Sequence, residues 1–361
     1  MSLQKWQERL GGTNGVSFTN MDIVTPERLN RGDTVAIISP SSGLAAIFSH
    51  RLDNAIKFLE SEGYKVKEFP CTRKINGWES APAKERAKDI MGAFTDPKIK
   101  AIICSIGGNT INKILKYLDF EKIKENPKIF IGYSDISVLH YALNKKCGLG
   151  TFYGPCAMTQ FGEYPKPLDY TLKYFNKAVV EGQIGVIEAS EKWTDEILDW
   201  SQKKDLERPR KLKENVGFEW LRAGKASGQI IGGCLHSIIH LIGTEYWPSH
   251  KGKILFMETP EGQDFTKGEP LAEIDAQLCD LRLSGVFDEI IGLIVGRPFG
   301  YTEEELKKFR EIILDNAEGY SFPILYGADI GHTDPMITIP ICSETQIDSK
   351  ENTFIMIDKR R

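Results

Sequence analysis

The chain holds 361 residues, 41% of them hydrophobic and 27% charged, with a formal net charge of -4. That length exceeds one ordinary core and predicts about two domains. The mildly acidic balance, with basic residues scattered in short groups such as Lys203-Lys204, gives no electrostatic footprint for a nucleic-acid polymer.

The first residues, "MSLQKWQERLGGTNG", lack the positively charged start and apolar stretch of a secretory signal, and no run of about 18 apolar residues occurs in the chain. A cytoplasmic protein without membrane association is expected. From "DTVAIISPSSG" onward, short β-branched runs alternate with segments of helical period, the mark of βαβ units and a parallel sheet. Strands are predicted over 34–39, 64–69, 99–106 and 128–132, with a fifth at 150–154. The segments 47–62, 82–95 and 109–118 read as crossover helices between them. Residues 160–215 change character, with "YPKP", "EASEKWTDEILDWSQ" and the charged run "KKDLERPRKLKEN", and read as a connection or surface excursion. Beyond it, strand-like runs separated by Gly and Pro, with fewer clear helices, predict a second domain of different build. The expected organisation is an α/β fold: a doubly wound domain over 1–175, a linker and substrate loop over 176–215, and a β-rich domain over 216–361.

The seven cysteines are odd in number and widely spaced, without a Cys-x-x-Cys pair, so most are expected to be buried small apolar residues rather than metal or redox groups. The joint "KIFIGYSDISVLHYAL" is more informative. Ser134 stands where a strand ends and a helix begins, the place where parallel sheets gather ligands. The helix N-terminus offers unpaired N–H groups that could hold an oxyanion. The form is an incomplete nucleophile elbow, since Ile136 stands where a last glycine would be. A serine here also suits a helix N-cap.

A nucleophilic serine needs a base. Of the six histidines, His50 and His250 lie in polar surroundings and read as surface residues, and His140, six residues after Ser134, faces away from its hydroxyl. His236 and His240 have a zinc-ligand spacing without the metalloprotease glutamate, because position 237 is Ser; core packing is the expectation for both. His332, in the Gly- and Pro-bounded loop "ADIGHTDPMITIP", is placed as catalytic residues tend to be. Glu258 ends the apolar run "KILFME", where a buried carboxylate needs a partner such as an imidazole, or else closes an exposed hairpin.

Seven stretches in order, "GDTVAIISPSS", "ERAKDIMGAFTDPKIKAIICSIGGNT", "IGYSDISVLHYAL", "TFYGP", "GGCLHSIIHLIGT", "KILFME" and "ADIGHTDP", resemble the LD-carboxypeptidase family of serine peptidases, which includes the microcin-C immunity peptidases. The resemblance implies an N-terminal domain like that of class I glutamine amidotransferases and a Ser-Glu-His triad at Ser134, Glu258 and His332. It also implies an oxyanion hole from the backbone of Gly108 and Asp135, substrate contacts at Gly107 and Asn109, no metal or cofactor, and a homodimer. One branch of the family trims the terminal D-alanine from a murein tetrapeptide; the other cleaves a peptidyl- or aminoacyl-nucleotide. "SIGGNT" stands here for an Arg-Gly-Gly-Tyr-Gly type of turn and "MET" for Leu-Glu-Asp, and both departures point to the immunity branch. In that branch tryptophans of the 185–220 region stack on the base, which makes Trp193 and Trp200 the candidates, although a spacing of seven also suits one packed helical face. Trp220 reads as core. The expected activity is a serine carboxypeptidase acting through an acyl-enzyme on a small peptidyl-nucleotide; a murein tetrapeptide peptidase and a non-catalytic binding protein on the same fold are the alternatives.

Overall fold

Each strand-like run of the first half becomes a strand, buried except at the exposed edge strand Lys65–Glu68, and helical segments cover the sheet. The computed structural model describes residues 23–357; the N-terminal stretch on which the secretory reading rests lies outside the described residues. In chain order the first half carries β1 (Thr34–Ile38), α1 (Ser49–Ser61), β2 (Lys65–Glu68), α2 (Ala83–Thr95), β3 (Ile99–Cys104), β4 (Ile129–Gly132), α3 (Ser137–Cys147) and β5 (Phe152–Tyr153). These five strands run parallel in the order β5-β4-β3-β1-β2, so the order reverses between β1 and β3 and the loops after them diverge into a crevice. The third expected helix is a 3-10 segment, Ile111–Tyr117.

The second half adds β6 (Gly185–Val186), β7 (Lys192–Trp193), β8 (Lys213–Glu214), β9 (Glu219–Arg222), β10 (Lys225–Cys234), β11 (Ile254–Glu258), α4 (Leu271–Leu283), β12 (Gly292–Gly296), α5 (Glu303–Asn316), β13 (Ile324–Ala328), β14 (Ile339–Pro340), β15 (Glu344–Asp348) and β16 (Thr353–Ile357). Among the described residues eight of them form a sheet ordered β6-β16-β15-β10-β11-β12-β13-β9. Strand β10 serves both halves of it, antiparallel to β15 over its first residues and parallel to β11 over its last.

The centre of this sheet, β10 to β13, is itself parallel, and its crossovers α4 and α5 are as long as those of the first domain. The second domain is β-rich with fewer helices than the first, as expected, and two of those helices are long. Pro270 and Gly285 punctuate the ends of α4 rather than break it. Thr302 and Glu305 close a capping box on α5, whose Phe309, Ile312 and Ile313 fall on one buried face. Such a cap contributes about 1 kcal/mol.

The two halves are interlocked. Strand β14 returns to pair antiparallel with β5 and completes the first sheet, and the Ser137 hydroxyl accepts from the Cys234 N–H at 2.9 Å. The carboxyl end of β10 therefore sits against the first turn of α3. All seven cysteines are free, six of them buried and Cys279 exposed. Trp220 is partly buried against the core.

Candidate active site

The turn between β4 and α3 holds Ser134 at φ 64°, a left-handed conformation that costs an L-residue roughly 1–2 kcal/mol. Strain of that kind persists where the surroundings over-determine it. The Ser134 side chain caps neither the 3-10 turn Ser134–Ile136 nor α3. Its hydroxyl instead lies 3.0 Å from His332 Nε2. The cap reading of the sequence is thereby set aside.

The rest of the line follows from β11 and the loop after β13. Glu258, the last residue of β11, is 1% exposed, and its Oε2 lies 2.7 Å from His332 Nδ1. Its other oxygen accepts from the Tyr153 hydroxyl, which also receives the Ser134 N–H at 3.4 Å. Both carboxylate oxygens are engaged, which makes burial of the charge tolerable. Gly331, at φ 101°, gives the carboxylate room, because a Cβ there would stand 2.3 Å from Glu258 Oε2. Burial opposes the charged form of His332, but Glu258, Glu261 and Asp334 outweigh it and lift its pKa to about 9. Hydroxyl, imidazole and carboxylate thus form one continuous hydrogen-bonded line, an arrangement suited to nucleophilic attack.

The opposite wall comes from the loops after β1 and β3. The Asp135 carboxylate, 1% exposed, accepts from Ser41 Oγ at 2.6 Å, Thr110 N at 2.8 Å and Ile111 N at 3.2 Å, fixing both loops to the turn that carries Ser134. Burial pushes its carboxyl up against the pull of these three donors. Gly107 packs so closely that a Cβ would fall 2.7 Å from Ser134 Cβ, 2.9 Å from its Oγ and 3.3 Å from Asp135 N. Gly108 and Asn109 follow, exposed at the crest of the loop. Gly107→Ala is expected to displace the hydroxyl and lower kcat/KM by about 100-fold, the scale of a 1 Å misplacement, with an unchanged circular dichroism spectrum.

Trp193 and Trp200 do not share a helical face, since Trp193 lies in the short strand β7 and Trp200 in a turn. The Trp193 ring is flanked by Lys213 Nζ at 4.7 Å and Arg297 Cζ at 4.9 Å, and the next residue, Thr194, bridges Asp334 through paired backbone hydrogen bonds of 2.6 and 2.9 Å. It therefore borders the His332 loop. Trp200 is packed on Phe48, with Arg51 Cζ 4.6 Å from its ring centre.

Four other histidines depart from expectation. His50 is partly buried beside Asp205 at 3.1 Å, and His250 is buried against the Tyr141 hydroxyl, its pKa pushed down to about 3 by desolvation. His236 is half-exposed and paired with Glu269 at 2.7 Å, and His240 is exposed beside it. A polar neighbour in sequence did not report position in space, and an apolar one hid a rim. His140 is buried, bonded to Thr151 and the Gly132 carbonyl, as its place on α3 implies. Among the described residues no cluster of three or more His, Cys, Asp or Glu is placed to hold a metal ion.

Residues 35–154 match the family model of the LD-carboxypeptidase N-terminal domain, and residues 227–347 match that of its C-terminal domain. The chain belongs to the LD-carboxypeptidase family. Within that family of hydrolases it is 34% identical over 323 residues to the microcin C7 self-immunity protein MccF of Escherichia coli, covering 88% of this chain and 91% of that one. Solved structures of MccF superimpose on it. A tryptophan-to-phenylalanine mutant in complex with adenosine monophosphate does so at TM-score 0.85 and 31% identity. The complex with aspartyl sulfamoyl adenosine gives TM-score 0.85 and 32% identity, and in both cases 93% of this chain and 99% of the other are covered. The chain thus resembles the immunity branch of the LD-carboxypeptidases throughout its two domains.

Sequence reasoning left three contributors of this LD-carboxypeptidase site unread. Tyr153 was visible in "TFYGP" without a role. The Asp135 carboxylate passed as a neighbour of the serine. Asp329 ties the His332 loop to Ser190, Tyr170 and Arg297 at 2.7 to 3.0 Å, and its position before "IGHTD" was the only signal.

Proposed function

We propose that this LD-carboxypeptidase hydrolyses the bond joining an acidic aminoacyl or peptidyl group to a nucleotide moiety, with Ser134, His332 and Glu258 as its triad. The observation that carries this reading is the line from Ser134 Oγ through His332 to Glu258, at 3.0 and 2.7 Å.

Ser134 Oγ attacks the acyl carbonyl as His332 Nε2 takes its proton, and Glu258 holds the imidazole by Nδ1. The N–H groups of Gly108 and Asp135 receive the oxyanion, in the role their loop and turn suit. The amide nitrogen leaves with the proton from Nε2, and water, deprotonated by the same nitrogen, releases the acid from the serine ester. Gly107 and Asn109 border the acyl group. Trp193, with Arg297 and Lys213 beside it, offers the aromatic face on which a base stacks. Trp200, packed on Phe48 and Arg51, is the second candidate for the same role. The same reading has the enzyme act in the cytoplasm as a homodimer of the 40.6 kDa chain.

Offering the wild type an aspartyl sulfamoyl-adenosine amide and a murein tetrapeptide side by side, with products followed by mass spectrometry, tests the substrate class. Cleavage of the nucleotide amide with little action on the tetrapeptide is expected. Cleavage of the tetrapeptide alone would move the enzyme to cell-wall recycling, and binding of either without turnover would make it a binding protein on this fold. Trp193→Ala is expected to raise KM for the adenosine substrate by about 10-fold or more, the scale of one lost base stack, with kcat less affected. Equal kinetics in steady-state assays would remove Trp193 from the base site.

A further inference from the structure

The segment that follows Trp193 is fastened by charges that the triad does not use. Arg210, with its side chain 16% exposed, places Nη2 2.7 Å from Asp334 Oδ2 and 2.7 Å from Glu163 Oε2. Asp334 also accepts from Gln160 Nε2 at 3.1 Å, and its backbone pairs with Thr194. Glu163 is shared with Arg51, 3.6 Å away and 2% exposed, and Arg51 reaches Asp205 at 3.2 Å. One buried chain of alternating charge thus joins α1, the 194–210 segment and the loop of His332. Asp334 stands two residues after His332.

We propose that Arg210 is a positioning residue for His332: by bridging Asp334 to Glu163 it holds the histidine loop against the first domain and couples that loop to the segment bearing Trp193. A charged bridge is costly to bury unless its geometry fixes something, and here each partner anchors a different element. The groups facing His332 are Ser134, Glu258, Glu261, Asp334 and the ring of Tyr133. Arg210 offsets the Asp334 charge among them. Its loss leaves Asp334 to favour the imidazolium, so the base is protonated to higher pH. This inference rests on the triad reading.

The test is the rate at which an alkyl fluorophosphonate labels Ser134, measured against pH and read by intact mass. The serine oxygen forms a bond to phosphorus, fluoride leaves, and the serine proton goes to His332, so no substrate class is assumed. In Arg210→Met the rising limb of labelling is expected to move up by about one pH unit, which lowers the rate at neutral pH about 10-fold. Glu163→Gln perturbs the same network without facing His332, and its limb should stay with the wild type's. Arg210→Met/Asp334→Asn removes both charges together, which keeps a folded comparison should the single variant fail to fold; its limb should lie no higher than the wild type's. A limb for Arg210→Met that coincides with the wild type's, or one that Glu163→Gln moves equally, overturns the proposal. A wild type that the reagent does not label at Ser134 would instead sink the triad reading itself.

Discussion

Ser134→Ala is expected to lose hydrolysis of the aminoacyl-nucleotide amide by a factor on the order of 10⁶ in kcat, the scale seen when a nucleophile is removed from a serine triad. The fold should survive, because the hydroxyl caps no helix and its hydrogen bond is to His332. Alanine inherits the φ of 64° at the same backbone cost, so stability should change little in thermal unfolding. Adenosine monophosphate, which touches the proposed base site rather than the hydroxyl, should bind the variant as it binds the wild type in calorimetry. Residual turnover within ten-fold of the wild type would mean that some other group attacks the carbonyl.

Glu258→Gln is the second large effect, and it separates charge from shape. The amide fills the same volume and still accepts from Tyr153, but its NH₂ faces Nδ1 and favours the tautomer with the proton on Nε2, the wrong one for a base. A loss of about 10³–10⁴-fold in kcat follows. The pH dependence should change as well. In the wild type kcat/KM should rise with pH and level off near the His332 pKa of about 9, because only the neutral imidazole can accept the serine proton. Without the Glu258 charge, burial weighs more heavily and the limb should move down by more than one unit. The sign for stability is opposite. His332 has a folded-state pKa above the ordinary imidazole value of about 6.5, so its contribution to stability is complete below about pH 6.5 and is lost as pH rises through about 9. Chemical denaturation between those values should show the wild type losing more stability than Glu258→Gln.

The first sheet was legible because its central strands are buried on both faces and therefore read as near-unbroken runs, as in "AIIC" and "KIFIG". The centre of the second sheet was harder to see. Its strands β12 and β13 carry glycines and are followed by Gly-rich loops, and those glycines were read as breaks although the chain between them coils into α4 and α5. The three positions of the proposed triad were visible one at a time: a serine at a strand end, a carboxylate closing an apolar run, a histidine between Gly and Pro. Their meeting was not, because Ser134 and Glu258 follow strands of different sheets and reach His332 across 198 and 74 residues, separations that no local pattern encodes. The tryptophans show the opposite limit. A spacing of seven suits one helical face, yet Trp193 lies in the short strand β7 and Trp200 in a turn.

The proposed mechanism requires that Ser134 become acylated. The most direct measurement is rapid quenching of the wild type mixed with an aspartyl sulfamoyl-adenosine amide, followed by intact and peptide mass analysis. An aspartyl adduct is expected on the peptide holding Ser134, formed as sulfamoyl adenosine is released in a burst and absent from Ser134→Ala. Turnover without burst or adduct, or an adduct that persists in Ser134→Ala, would contradict it.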